Sequence, residues 1–75
     1  MSLNLQINIL SNNGHAIGKV DLPQINTDDT FFIIGQDNNV KNQIERLIFY
    51  FEKNKQYNRD YSSLRGAKNL EFTFI

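Results

Sequence analysis

The chain has 75 residues, 40% of them hydrophobic, and its eight basic residues balance eight acidic ones. This length allows a single domain with a small core. The zero net charge argues against a dedicated nucleic-acid-binding or membrane-surface protein. The sequence contains no cysteine, which excludes disulfides and thiolate metal sites. It also lacks a long apolar run and a signal-peptide pattern, so we expect a cytoplasmic protein with no membrane contact.

The first third of the chain predicts a β-hairpin. Leu and Ile alternate with Asn and Gln over residues 3–9, which is typical of a half-buried strand. The dipeptide Asn13-Gly14 favours a two-residue type I′ turn, and we expect Pro23 to end the second strand because it cannot donate to a sheet. The resulting register pairs Leu5 with Leu22, Ile7 with Val20, Ile9 with Gly18, and Leu10 with Ile17.

Leu10 and Ile17 are an exception to the polar outer face of this hairpin. The predicted register places them opposite each other next to the turn, on the side that faces solvent. Such a pair either stabilises the hairpin locally or belongs to a contact patch.

The middle of the chain predicts a short strand followed by a long helix. Residues 30–34 form an apolar run too short for a helix, and its Phe and Ile residues favour a strand that is either covered on both faces or lies at a covered edge of the sheet. Residues 37–55 have helical periodicity, with Asp37 or Asn38 as the N-cap. The apolar stripe of this helix consists of Val40, Ile44, Leu47, Ile48 and Phe51.

The remaining residues predict a loop and a final strand. Periodicity is lost over residues 56–69, which is long for an unstructured connection in a small domain. Leu70, Phe72 and Phe74 then alternate with polar residues, so we expect a strand that is held in the sheet. The simplest right-handed connection places it parallel to the first strand, at the centre of the sheet.

Together these elements predict a single α+β domain over residues 1–75. It is a two-layer sandwich, in which one helix packs across a small mixed sheet of three to four strands. The element order is ββ(β)αβ, with the strand over residues 30–34 in parentheses. This arrangement resembles β-grasp folds in outline.

Three features could suggest catalysis or metal binding, and each has a simpler explanation. His15 follows the predicted turn without a neighbouring nucleophile or acid, so a solvated turn residue is expected. Asp28-Asp29 lacks the alternating ligand spacing of a calcium loop. Gly35 is a lone turn glycine without the further residues of a phosphate-binding motif. We therefore predict no catalytic residues, no metal and no cofactor.

Phe49 is the most informative residue of the helix, because it lies opposite the apolar stripe among charged side chains. Burying a Phe side chain contributes about 1.5–3 kcal/mol, so we expect something to cover this ring. One candidate is the segment 56–69, through Tyr57, Tyr61 or Leu64. The other is a partner chain, for which Phe49 would be an anchor.

These observations predict a non-enzymatic protein-interaction module of the adaptor, inhibitor or subunit type, acting through a sheet edge or the outer helix face. Its partner is another protein or a second copy of the chain. The predicted partner-binding residues are Phe49, Arg46, Lys53, Leu10 and Ile17. The alternative is a single-stranded nucleic-acid surface, in which cations alternate with aromatic rings. That set consists of Lys53, Lys55, Tyr57, Arg59, Tyr61, Arg65 and Lys68.

Overall fold

A computed structural model describes residues 2–36, 38–54 and 59–75, apart from the side chains of Ser2 and of residues 59–62. These residues form a small α+β arrangement of three strands, two α-helices and one 3₁₀ helix, which confirms the predicted class. The elements in chain order are β1 (Ser2–Leu10), β2 (Ala16–Asn26), α1 (Thr27–Ile34), α2 (Val40–Asn54), the 3₁₀ helix (Arg59–Gly66) and β3 (Asn69–Phe74).

The sheet is open and antiparallel, with strand order β2-β1-β3. The predicted mixed sheet, with a final strand parallel to β1, is therefore wrong. The reason is the missing strand over residues 30–34, because without it the helices connect β2 directly to β3. A connection of this kind returns the chain to the end of the sheet at which β2 begins. Strand β3 is therefore parallel to β2 and antiparallel to β1. The β-grasp outline depended on the parallel pairing, and the structure does not confirm it.

The hairpin has the predicted register in its centre but a different turn. Ile9 pairs with Gly18, as predicted. The loop contains three residues, since the N–H of Ser11 donates to the carbonyl of His15 at 2.9 Å and Gly14 has a φ of +77°. This extra loop residue shifts the register by one, and a bulge at Ile17 shifts it back. Leu10 consequently pairs with Ala16, and the predicted Leu10–Ile17 pair is wrong.

Strand β2 continues past Pro23 to Asn26, so the prediction that Pro23 ends it is wrong. A second register shift lies here, opposite the β1 segment between Leu3 and Leu5. Gln24 adopts a φ of +56°, and its N–H donates to the side-chain oxygen of Asn4 at 3.1 Å. Proline is tolerated because β2 is an edge strand that carries an irregularity at this point.

Residues 30–34, predicted as a strand, belong to helix α1. Asn26 caps this helix, with its side-chain oxygen accepting from the N–H of Asp29 at 2.7 Å. Asp28 and Asp29 also place negative charge in the first turn, where the helix dipole favours it. Gly35 ends the helix at a φ of +69°, and its N–H donates to the carbonyl of Phe31 at 2.9 Å.

Helix α2 begins later than predicted. Asn39 occupies the capping position, with its side-chain oxygen accepting from the N–H of Asn42 at 3.2 Å. Asn38 has a φ of +50° and lies before the cap, so the N-cap prediction at Asn38 is wrong by one residue. Asp37, the other predicted cap, lies outside the described residues.

The core lies between one face of the sheet and the two helices. Leu47 and Phe51 of the predicted stripe are buried in it, whereas Val40, Ile44 and Ile48 pack at its margin. The 3₁₀ helix contributes Leu64, which is fully buried. The opposite face of the sheet is polar, with side-chain hydrogen bonds from Gln6 to Asp21 and from Asn8 to Glu71.

Candidate functional site on the outer helix face

Two polar side chains of α2 hold the end of α1 in place. The Gln43 amide, which is 5% exposed, donates to the carbonyl of Ile34 at 2.8 Å. The Arg46 guanidinium donates to the carbonyl of Ile33 at 3.3 Å. Helix α1 has no basic residue in its own last turn, so Arg46 supplies the positive charge that its C-terminus favours.

The glycine at position 35 fits this junction in two respects. Its positive φ disfavours residues with a side chain. A Cβ at this position would also collide with the Arg46 guanidinium. Because the end of the Arg46 side chain is flexible and can move aside, the positive φ is the main reason for a glycine immediately after α1.

The docked helices bring Phe49 of α2 against Phe32 of α1. Their ring centroids are 5.7 Å apart and their planes are tilted by 55°, a favourable geometry for aromatic pairs. Phe32 nevertheless remains 43% exposed, Phe49 56% and Phe31 71%. We call these three side chains the aromatic patch. Phe49 is thus partly covered by α1, while Leu64, one of its predicted covers, lies in the core.

A cleft of about 160 Å³ opens beside the patch. It is lined by Phe32, Phe49, Tyr50, Asp29 and Lys53. Burial raises the pKa of the Tyr50 phenol, and the negative charge of Asp29 raises it further. The phenol therefore stays protonated at neutral pH, and the cleft combines three aromatic rings with one acid and one base.

A wider groove of about 440 Å³ lies at the other end of α2. Its apolar floor and charged rim consist of Val40, Lys41, Ile44, Glu45, Leu64, Arg65, Ala67 and Lys68. From Lys41 to Lys53 the helix rises about 18 Å, so the groove and the cleft are separate surfaces.

The predicted partner-binding residues do not form one surface. Phe49 and Lys53 line the same cleft. Arg46 is half-buried and contacts the end of α1. Leu10 and Ile17 lie near the 3₁₀ helix, since the carbonyl of Leu10 accepts from the Lys68 N–H at 2.9 Å and that of Ile17 from the Ser63 hydroxyl at 3.2 Å.

The predicted nucleic-acid set is also divided, as far as it is described. Lys53 lies at the C-terminal end of α2, whereas Arg65 and Lys68 line the groove at its N-terminal end. Lys55 and Tyr57 lie outside the described residues, as do the side chains of Arg59 and Tyr61. The described cations therefore do not follow one continuous path of the kind that a single strand needs.

Phe31 and Phe32 are the site residues that sequence reasoning missed, because they were assigned to a covered strand. The signal for a helix was present. Asn26 is a good N-cap residue, two aspartates follow in the first turn, and Gly35 follows the last turn. If residues 30–34 had been predicted as a helix, Phe31 and Phe32 would have had no predicted position in the core. They would then have been candidate surface residues, like Phe49.

Within residues 2–36, 38–54 and 59–75, no cluster of three or more His, Cys, Asp or Glu side chains is placed to hold a metal ion. In the same residues, no helix is long and apolar enough to cross a membrane. Comparisons of the chain with protein-family models, with curated proteins and with solved structures found no match.

Proposed function

We propose that this protein is a non-enzymatic interaction module that binds another protein through the outer face of its two helices. The observation that carries this proposal is the aromatic patch, in which three Phe side chains remain between 43% and 71% exposed. A small domain loses stability by leaving such side chains in water. A bound partner would bury these side chains and thereby stabilise the complex.

The size of the patch fits a protein contact. With about 200 Å² of surface for each Phe side chain, the exposed fractions correspond to roughly 340 Å² of aromatic surface. The contacting rings of Phe32 and Phe49 account for roughly 200 Å² of this surface, and exposed apolar patches of a few hundred Å² often have a function. The adjoining cleft of about 160 Å³ is smaller than the roughly 300–1,000 Å³ of a small-molecule pocket.

The chemistry of the cleft indicates what the partner presents. The rings of Phe32, Phe49 and Tyr50 offer an apolar lining for one aliphatic or aromatic side chain. Asp29 and Lys53 line the same cleft, so the partner should place a basic and an acidic group beside that side chain. Aromatic anchors with a charged rim are typical of protein interfaces.

Substitution of the patch tests this proposal. Phe49→Asp and Phe31→Asp should each abolish capture of a partner from a lysate of the source organism, measured by affinity pull-down and mass spectrometry. Ile17→Asp is the matched control, because Ile17 is 41% exposed but lies on β2, outside the two α-helices and β3. This control variant should still capture the same partner.

Circular dichroism and urea denaturation must accompany the pull-down. Phe49 is partly buried against Phe32, so its loss should cost about 2 kcal/mol of stability, whereas Phe31 is more exposed and should cost less. A folded Phe31→Asp variant that has lost the partner supports the patch as the interface. The proposal fails if both folded patch variants capture the same proteins as the wild type.

A further inference from the structure

The two edges of the sheet differ in how they are protected against pairing with another chain. Edge strands usually carry lysine, proline or a bulge that prevents such pairing. Strand β2 has all of these, with Lys19, Pro23 and the irregularities at Ile17 and Gln24. The 3₁₀ helix also contacts β2, through the hydrogen bond from Ser63 to Ile17.

Strand β3 has none of these protective features. Its sequence, Asn-Leu-Glu-Phe-Thr-Phe, contains no basic residue and no proline. It pairs with β1 without a register shift. Among the described residues, β1 is the only strand that pairs with it. Phe74 and Ile75, at the end of this edge, are 54% and 76% exposed.

The backbone groups that face the open edge can be identified. The N–H of Ile75 donates to the carbonyl of Asn4 at 3.0 Å, and hydrogen-bonded pairs alternate along an antiparallel ladder. Glu71 and Thr73 therefore direct their backbone groups towards β1. Those of Phe72 and Phe74 point outward, as does the carbonyl of Leu70, whose N–H donates to the side-chain oxygen of Asn69 at 2.9 Å.

We propose that β3 is a homodimer interface, in which β3 pairs antiparallel with β3 of a second copy and the two sheets become one. This proposal is independent of the aromatic patch, which lies on the helices. The commonest protein dimers have a twofold axis, so each residue must be complementary to its own symmetry partner. One register satisfies this requirement best.

That register places Phe72 on the twofold axis. In this register both outward backbone groups of Phe72 pair with those of its copy, and the N–H of Phe74 meets the carbonyl of Leu70. On the core side, Phe72 then meets its own copy and Leu70 meets Phe74, so exposed aromatic surface becomes buried. On the polar side Glu71 faces Thr73, whereas a shift of the axis to Glu71 would oppose two like charges.

Opposite charges at Thr73 test both the dimer and its register. Because Thr73 faces Glu71 of the other copy twice in the dimer, Thr73→Glu should weaken dimerisation by about fivefold, and Thr73→Lys should tighten it by a similar factor. Sedimentation equilibrium over a concentration series measures both constants. Asn12→Glu and Asn12→Lys, in the exposed hairpin loop, make the same charge changes away from β3 and should leave the constant unchanged.

Amide hydrogen exchange gives a second measurement that does not depend on a variant. In the wild type, the N–H groups of Phe72 and Phe74 should become protected as concentration rises, while that of Thr73 should be protected at every concentration. Dimerisation with opposite effects of the two Thr73 variants supports the proposal. A monomer at every concentration would overturn it, in favour of a strand from a different protein as the occupant of this edge. The proposal would also be overturned if the Thr73 and Asn12 variants changed the dimerisation constant equally.

Discussion

The hydrogen bond between Gln43 and Ile34 is the most direct test of how α1 is attached. Gln43→Met keeps an unbranched side chain of similar size but removes the amide that donates at 2.8 Å. A lost hydrogen bond costs about 1 kcal/mol, and a carbonyl left without a partner adds to this. Arg46 also donates to the Ile34 carbonyl, at 3.5 Å, and compensates in part. We therefore expect a loss of about 1–2 kcal/mol.

Such a loss would be large for this domain. A core of this size seldom supplies more than about 3–5 kcal/mol, so roughly a third of the stability is involved. For domains of 60–100 residues, 1 kcal/mol corresponds to about 4–8 °C in melting temperature. Urea denaturation followed by circular dichroism measures the change in the free energy of unfolding.

Gln36→Met is the matched control, since Gln36 is exposed in the connection between the two helices. It makes the same chemical change at a position where surface substitutions usually stay within about 0.5 kcal/mol of the wild type. If Gln43→Met and Gln36→Met unfold at the same urea concentration, the amide does not hold α1 against α2.

Two further predictions concern the same region. Gly35→Ala should destabilise the protein by about 1–2 kcal/mol, from the positive φ, whereas Gly66→Ala, with open space around it, should be nearly neutral in thermal unfolding. The raised pKa of Tyr50 contributes stability below the usual value near 10. This contribution is lost as pH rises through the higher folded pKa. In urea titrations at alkaline pH, the free energy of unfolding should therefore fall more steeply with pH for the wild type than for Tyr50→Phe.

The hairpin shows how far local sequence signals reach. Alternation of Leu and Ile with Asn and Gln predicted which residues face the core, and burial of those residues fixed the register. The turn was less predictable, because a three-residue loop with a bulge at Ile17 gives the same central pairing as a two-residue turn. Strand pairing therefore determines the register, but it does not determine the length and geometry of the turn.

Residues 30–34 show where local signals conflicted. Phe and Ile favour a strand by propensity, whereas the Asn26 cap and Gly35 favour a helix. Burial of Thr30 and Ile33, together with the contacts from Gln43 and Arg46, stabilises the helix. The last two contributions come from a distant segment and cannot be read from the run itself. Misassignment of this run also reversed the predicted direction of β3 and hid two residues of the aromatic patch.

The candidate site was predicted only in part. Phe49 was identified because it breaks the pattern of a long amphipathic helix, which is a strong periodic signal. Its position next to Lys53 follows from helical spacing. Its contact with Phe32 depends on the docking of two helices, for which a single sequence provides no distance information.

Helix α1 has only eight residues, too few to be stable in water without its contacts. The aromatic patch exists only while this short helix is docked, because Phe31 and Phe32 lie on α1 and Phe49 on α2. Local opening of α1 would therefore remove the proposed binding surface while the sheet stays intact. The apparent affinity for a partner would be reduced by the fraction of molecules in which α1 is open. Contacts that hold α1 in place, such as the hydrogen bond from Gln43 to Ile34, would thus affect the affinity for a partner.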